Sequence, residues 1–196
     1  MGEPVVQRVL NFIREPGQDD FSRLALEVFA FQYGRNAAYR RFCDRRGITP
    51  DTVSSWKEIP AIPTSAFKLL DLSCAPPEQV FLTSGTSQGA ERGRHGFPWL
   101  EVYDTSLLTN FSVYLLPDGA RLRMLILTPS PDLLPTSSLV HMMEVVRKAY
   151  GSEGCRYFIG DKGIDIPGLL QTLGEVEARQ EPVCLLGSSF AFVHVL

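Results

Sequence analysis

The sequence predicts an α/β protein in which an N-terminal helical segment is followed by alternating strands and helices that form a mostly parallel sheet. Three observations carry this reading. Apolar residues recur at helical spacing through the first third, a proline-rich stretch interrupts the chain after it, and beyond Leu116 short apolar runs alternate with amphipathic ones.

In the first third, Phe21, Leu24, Leu26, Val28, Phe29, Tyr33, Ala37 and Phe42 keep one stripe of a helix apolar, and Gly47 supplies the stop. The pattern predicts a single helix of about 25 residues after Asp19 and Asp20. Thr49-Pro50 offers a hydroxyl cap followed by proline at the first helical position, which predicts a short helix ending near Trp56. IPAIPTSAFK, residues 59–68, reads as a fixed, extended connector, because its prolines remove amide donors and push their predecessors out of the helical region. Gln79 to Thr83 reads as a short strand, the stretch after it as a sharply turning loop, and Pro98 to Leu116 as an amphipathic helix. RLRMLILT is then a buried strand and SLVHMMEVVRKAYG a helix capped by Ser137 or Ser138. CRYFIG is a strand, DIPGLLQTLGEVEARQ a helix and PVCLLG a strand, the order expected of crossover units. The chain divides on this basis into a helical segment, 1–78, and an α/β portion, 79–196.

With 196 residues, 44% of them hydrophobic and 21% charged, the chain can bury one substantial core. A formal net charge of -3 supplies no basic footprint for a phosphate backbone, so nucleic acid is excluded as a partner. No run approaches the roughly 18–20 apolar residues that span a bilayer, so an integral membrane protein is not expected. The opening MGEPVVQRVLNFIREPG lacks the basic-then-apolar layout of a secretory leader, which points to the cytoplasm. Cys43, Cys74, Cys155 and Cys184 are scattered, without a C-x-x-C pair or a histidine at zinc spacing. They read as reduced structural thiols, and no metal site is expected.

The feature that carries chemistry is Thr83-Ser84-Gly85-Thr86-Ser87-Gln88-Gly89, four hydroxyls around two glycines just after an apolar strand. Glycines let successive amides converge on an anion, and hydroxyls add donors at the same place, so the loop suits a polyphosphate. It is not a Walker loop, because Ala-Glu follows Gly89 and no G-K-[ST] appears. His95 follows the loop and can serve either as a contact to phosphate or carboxylate or as a turn-stabilising residue. His141-Met142-Met143-Glu144 lacks the second histidine of a zinc helix, and Tyr150-Gly151 reads as a helix end.

TSGTSQG is similar to the phosphate-binding loop of the acyl-adenylate-forming superfamily, usually [ST]-S-G-T-T-G. FAFQYGRNAAYRRFC at Phe29 to Cys43, the connector IPAIPTSAFK, Arg94-His95 after the loop and the final LLGSSFAFVHVL resemble the LuxE-type acyl-protein synthetases in particular. The sequence departs from the superfamily in having Ser87-Gln88 where Thr-Gly is usual, and no lysine follows the loop, Arg92 and Arg94 being the nearest cations. The resemblance covers the front half of such an enzyme. It implies the large domain of an adenylate-forming ligase using ATP and Mg2+, with Thr83 to Gly89 and His95 on the nucleotide. It further implies a fatty acid or other carboxylic acid as substrate, a protein thiol as acceptor and an acyl-reductase as partner. The catalytic residues are not identified, and none of the four cysteines is assigned the acceptor role.

Two rival readings stand beside it. Gly187-Ser188-Ser189 after PVCLL has the form of a strand-to-helix elbow, which would make Ser189 a hydrolase nucleophile, although only His194 and no acid follow. In the family reading the same three residues border the acyl or nucleotide pocket. Alternatively, the chain is a non-catalytic nucleotide- or partner-binding fragment. The final apolar segment lacks covering elements, so the chain is expected to continue or to be completed by a second subunit.

Overall fold

The computed structural model describes residues 3–83 and 92–195. They form two compact units, residues 1–109 and 110–196.

The first unit begins with a helix that the sequence reading left unassigned, α1 (Pro4–Arg14), started by proline in its first turn. The long helix expected after Asp20 is two helices, α2 (Phe21–Arg35) and α3 (Ala37–Asp44). The break is Asn36, whose backbone is extended and whose side chain accepts the Tyr39 amide, starting a new helix rather than continuing the old one. Gly47 ends the pair as expected, at φ +66°. The short helix expected after Thr49-Pro50 is instead a turn, and the regular structure comes later, as a 3₁₀ turn at Trp56–Glu58 held by a Ser55/Glu58 capping box. The connector is extended only to Pro63, and Thr64–Lys68 then winds into another 3₁₀ turn.

Phe29, Tyr39 and Cys43 form the centre of this unit, with Ile59 and Ile62 of the connector packed against them. The Tyr39 hydroxyl donates to the Pro60 carbonyl at 2.8 Å, fastening the connector to α3. Arg8 of α1 reaches Asp19 at 2.6 Å and also pairs with Glu27, and Arg23 reaches Asp19 from α2 at 2.7 Å. These cations hold the Asp19 carboxyl well below its usual range. The strands β1 (Gln79–Leu82) and β2 (Arg94–Phe97) pair as an antiparallel hairpin, with Phe81 opposite His95 and Leu82 opposite Arg94. Phe81, Phe97 and Tyr103 of α4 (Leu100–Leu115) close one side of the hairpin with ring centroids 5.4–6.0 Å apart.

The second unit is built on β3 (Arg123–Pro129), whose residues Met124 to Leu127 are almost wholly buried. The sheet has the order β5-β4-β3-β6, comprising β4 (Arg156–Gly160), β5 (Gly163–Ile164) and β6 (Val183–Gly187). β3 runs parallel to β4 and β6, and β5 runs antiparallel to β4, so the sheet is mixed rather than parallel throughout. The two-residue β5 arises because Gly163, at φ +94°, turns the chain straight back along β4. Helices α5 (Ser138–Tyr150) and α6 (Ile166–Ala178) are capped by Ser137 and Asp165, and α7 (Ser189–Val193) by Ser188. Gly151 does end α5, but in extended rather than left-handed conformation.

Adjacent residues of a strand face opposite sides of a sheet, and β4 makes this visible. Tyr157 donates to Glu144 of α5 at 2.6 Å, while Phe158 packs with Leu169 of α6 and Ala191 of α7. The helix α5 therefore covers one face, and α6 and α7 the other.

Candidate functional site

The hairpin root carries Thr83, the first residue of the expected phosphate loop. The Thr83 amide donates to the Gly93 carbonyl at 2.9 Å, and the Gly93 amide donates back to Thr83 Oγ1 at 2.9 Å. This reciprocal pair clamps together the two ends of the segment that the sequence marks for an anion. Gly93 is buried, and a Cβ there would stand 3.1 Å from Thr83 Cγ2 and 3.4 Å from Lys68 Cγ. Glycine thus lets the Thr83 side chain close directly over the backbone before β2, with the Lys68 stem in van der Waals contact beside it. Of the predicted loop, Thr83 occupies this root; Ser84, Gly85, Thr86, Ser87, Gln88 and Gly89 lie outside the described residues.

His95 stands on β2 with its ring stacked on Phe67, centroids 4.2 Å apart at 29°. That contact pins the 3₁₀ turn of the connector against the hairpin. His95 and Arg94 line a cavity of about 730 Å³ whose walls include Tyr39, Trp56, Ile62 and Phe97. A smaller cavity of about 350 Å³ is lined by Lys68, Asp71, Ser73, Arg94 and Gly96. Lys68, Arg92 and Arg94 are exposed and have no ion-pair partner among the described residues. Asp71 accepts the Ser73 amide at 2.9 Å. Lys68, Arg92 and Arg94 thus place positive charge around the root of the loop, with Asp71 as the carboxylate that shares the smaller cavity. Sequence reasoning found Arg92, Arg94 and His95 but missed Lys68. Arg92 and Arg94 follow the loop in sequence, whereas Lys68 reaches its root from the connector before it.

In the second unit, Gly187, Ser188 and Ser189 stand at the C-terminal end of β6. The Ser188 hydroxyl accepts the Ala191 amide at 3.2 Å, so it is committed to capping α7. Ser189 is exposed, and among the described residues it makes no hydrogen bond to His194, whose ring instead packs edge-on to Phe190 at 4.5 Å. The Ser–His couple a hydrolase requires is not assembled. The turn has a different distinction. From β3 the chain departs to α5 on one face, and from its neighbour β6 to α7 on the other. Adjacent strands whose connections diverge leave a crevice at their carboxyl ends, where open α/β sheets bind ligands. Gly187 is required there for close approach, since a Cβ would lie 2.8 Å from Leu127 Cβ.

The thiols behave as structural groups. Cys43 is fully buried, and burial raises the thiols of Cys43, Cys74 and Cys184 above their ordinary value. Cys155 Sγ lies 3.1 Å from the Ser152 carbonyl and 3.3 Å from the Met124 amide. Among the described residues no group of three His, Cys, Asp or Glu could hold a metal ion, and no helix is long and apolar enough to cross a membrane.

Taken together, these features define an α/β protein with a β1–β2 hairpin clamped at Thr83 and Gly93 and bordered by cations. In sequence the chain resembles the LuxE-type acyl-protein synthetases. It is 26% identical over 178 residues to the long-chain-fatty-acid–luciferin-component ligase of Aliivibrio fischeri, a match covering 89% of this chain and 46% of that protein. The ligase of the same name from Vibrio harveyi is 26% identical over 183 residues, with the same coverage of 89% and 46%. The chain thus spans about half the length of the curated relatives it matches. No family model matches it, and no solved structure does.

Proposed function

We propose that this chain is the nucleotide-phosphate-binding portion of an ATP-dependent acyl-protein synthetase, contributing to the large domain of an adenylate-forming enzyme. The observation that carries the reading is the clamp between Thr83 and Gly93 at the root of the Thr83–Gly89 segment, with Lys68, Arg92 and Arg94 beside it and without ion-pair partners among the described residues. It is supported by similarity to ligases whose printed name specifies a long-chain fatty acid.

In the proposed reaction a carboxylate oxygen bonds to the α-phosphorus of ATP, the bond to pyrophosphate breaks, and acyl-AMP forms. A thiolate then bonds to the acyl carbon and AMP leaves. The carboxylate is a poor acyl donor, and adenylation gives it a good leaving group. The protein's part is to hold the polyphosphate in line and offset its charge, through Thr83, Ser84, Thr86, Ser87 and neighbouring cations. Each hydrogen bond to a charged oxygen contributes about 1.5–3 kcal/mol. Mg2+ would arrive on the phosphates, because the described residues offer no carboxylate cluster of their own. The cavity beside His95, largely walled by apolar side chains, is a space for the hydrocarbon part of the acid. The crevice at Gly187 to Ser189 would border the nucleotide or acyl group. Phe190 and Val193, exposed on α7, would be covered by the remainder of a longer enzyme or by a second subunit. An acyl-reductase would take over the activated acyl group.

The test is ATP–pyrophosphate exchange with long-chain fatty acids, run on this chain and on a chain of the relatives' length. Exchange dependent on fatty acid by either supports the reading. Exchange by the longer chain alone makes the 196 residues a binding portion that needs the rest. No exchange by either, together with labelling of Ser189 by a fluorophosphonate, would replace it with a hydrolase.

A further inference from the structure

We propose that Lys68 is the lysine of the phosphate site: the connector delivers it to the loop root from the N-terminal side, where it pairs with the polyphosphate together with Arg94. The inference rests on the nucleotide reading above and adds to it a residue that the loop's own sequence does not contain.

Four observations converge on Lys68. Its backbone is fixed, because it closes the 3₁₀ turn Thr64–Lys68, with the Leu69 and Leu70 amides both donating to the Ala66 carbonyl at 3.0 and 2.8 Å. The preceding residue, Phe67, is stacked on His95, which sets the turn's orientation against β2. The Lys68 stem lies over Gly93 beside Thr83, the two residues that clamp the loop ends. Its ammonium has no ion-pair partner among the described residues, and it lines the smaller cavity together with Arg94.

An ordinary surface lysine explains the exposure but not the contact of its stem with Gly93, the residue that closes the clamp with Thr83. Lysine serves phosphate as a compact point charge on a flexible stem, and pinning the stem removes much of the entropy lost when the charge is used. The position is also electrostatically economical. Lys68 and Arg94 belong to different segments, so their mutual repulsion is relieved when an anion sits between them.

The experiment is titration of the chain with tripolyphosphate and with ATP by calorimetry, comparing wild type with Lys68→Met, Lys68→Arg and a control, Lys162→Met, which removes an exposed lysine of the second unit. Far-UV circular dichroism verifies that each variant is folded. Lys68→Met is expected to weaken both ligands about 10-fold or more, with Lys68→Arg recovering part of the loss and Lys162→Met matching wild type. Wild-type binding that Lys68→Met leaves within about twofold overturns the role of Lys68 while the nucleotide reading stands. A wild-type chain that binds neither ligand overturns both. Equal losses in Lys68→Met and Lys162→Met reduce the effect to net charge and also remove the inference.

Discussion

Glu144 shows how much a single side chain on α5 contributes to the second unit. It receives both Arg147 nitrogens at 2.7 Å, the Tyr157 hydroxyl at 2.6 Å and Lys148 at 3.4 Å. Led by the Arg147 hydrogen bonds, these donors bring its carboxyl from an ordinary 4.5 down to about 2. A depressed acid stabilises the fold above its unfolded pKa and loses that contribution as pH falls toward the folded value. The carboxylate should therefore contribute about 3 kcal/mol at neutral pH, fading between about pH 5 and pH 2. Urea denaturation of wild type and Glu144→Gln across that range tests this. The stability gap should narrow steadily on acidification, and a gap that stays constant would show that packing, not charge, is at stake.

At the scale of elements, the site depends on where helices and strands stop. Asn36 divides α2 from α3 and turns Tyr39 onto Pro60 of the connector, which in turn presents Phe67 and Lys68 to the hairpin. Asn36→Ala removes the cap and should cost about 1–2 kcal/mol in thermal or urea unfolding, whereas Asn36→Asp, which keeps an acceptor for the Tyr39 amide, should cost much less. Equal losses in the two variants would place the cost in burial of the side chain, which is only 6% exposed. The same residue explains where the sequence was and was not legible. Apolar spacing runs unbroken from Phe21 to Phe42, so it reports a buried stripe but is blind to a one-residue break made by a capping side chain. Apart from the two-residue β5, the strands and helices after Leu116 were readable because burial and periodicity agree there, down to the Ser137 cap. By contrast β2 is four residues, RHGF, with too little apolar material to announce itself, and it forms because β1 supplies the partner. The place of Lys68 was not legible, because its contact with Gly93 exists only once the connector has folded back.

At the scale of the whole molecule, the described residues include a separate core cluster in each unit. One centres on Phe29, Tyr39 and Cys43, the other on Leu125, Leu127, Phe158, Leu169 and Ala191. Each rests on its own kind of scaffold, helices fastened by a proline connector in the first and a β3-centred sheet in the second. The clamp between Thr83 and Gly93 and the connector beside it lie wholly within the first unit. Both tryptophans, Trp56 and Trp99, also lie in that unit, so their fluorescence reports its unfolding separately from circular dichroism, which senses all the helices. Phe158 is 1% exposed, and Phe158→Ala should cost the second core about 3–5 kcal/mol through lost burial and the cavity left behind. Its circular-dichroism transition should then split, with the early step losing α5 and α6 while the tryptophan midpoint holds at the wild-type value. A tryptophan midpoint that falls in step with the dichroism would mean instead that the two cores unfold as one, and that the loop root draws part of its stability from the sheet.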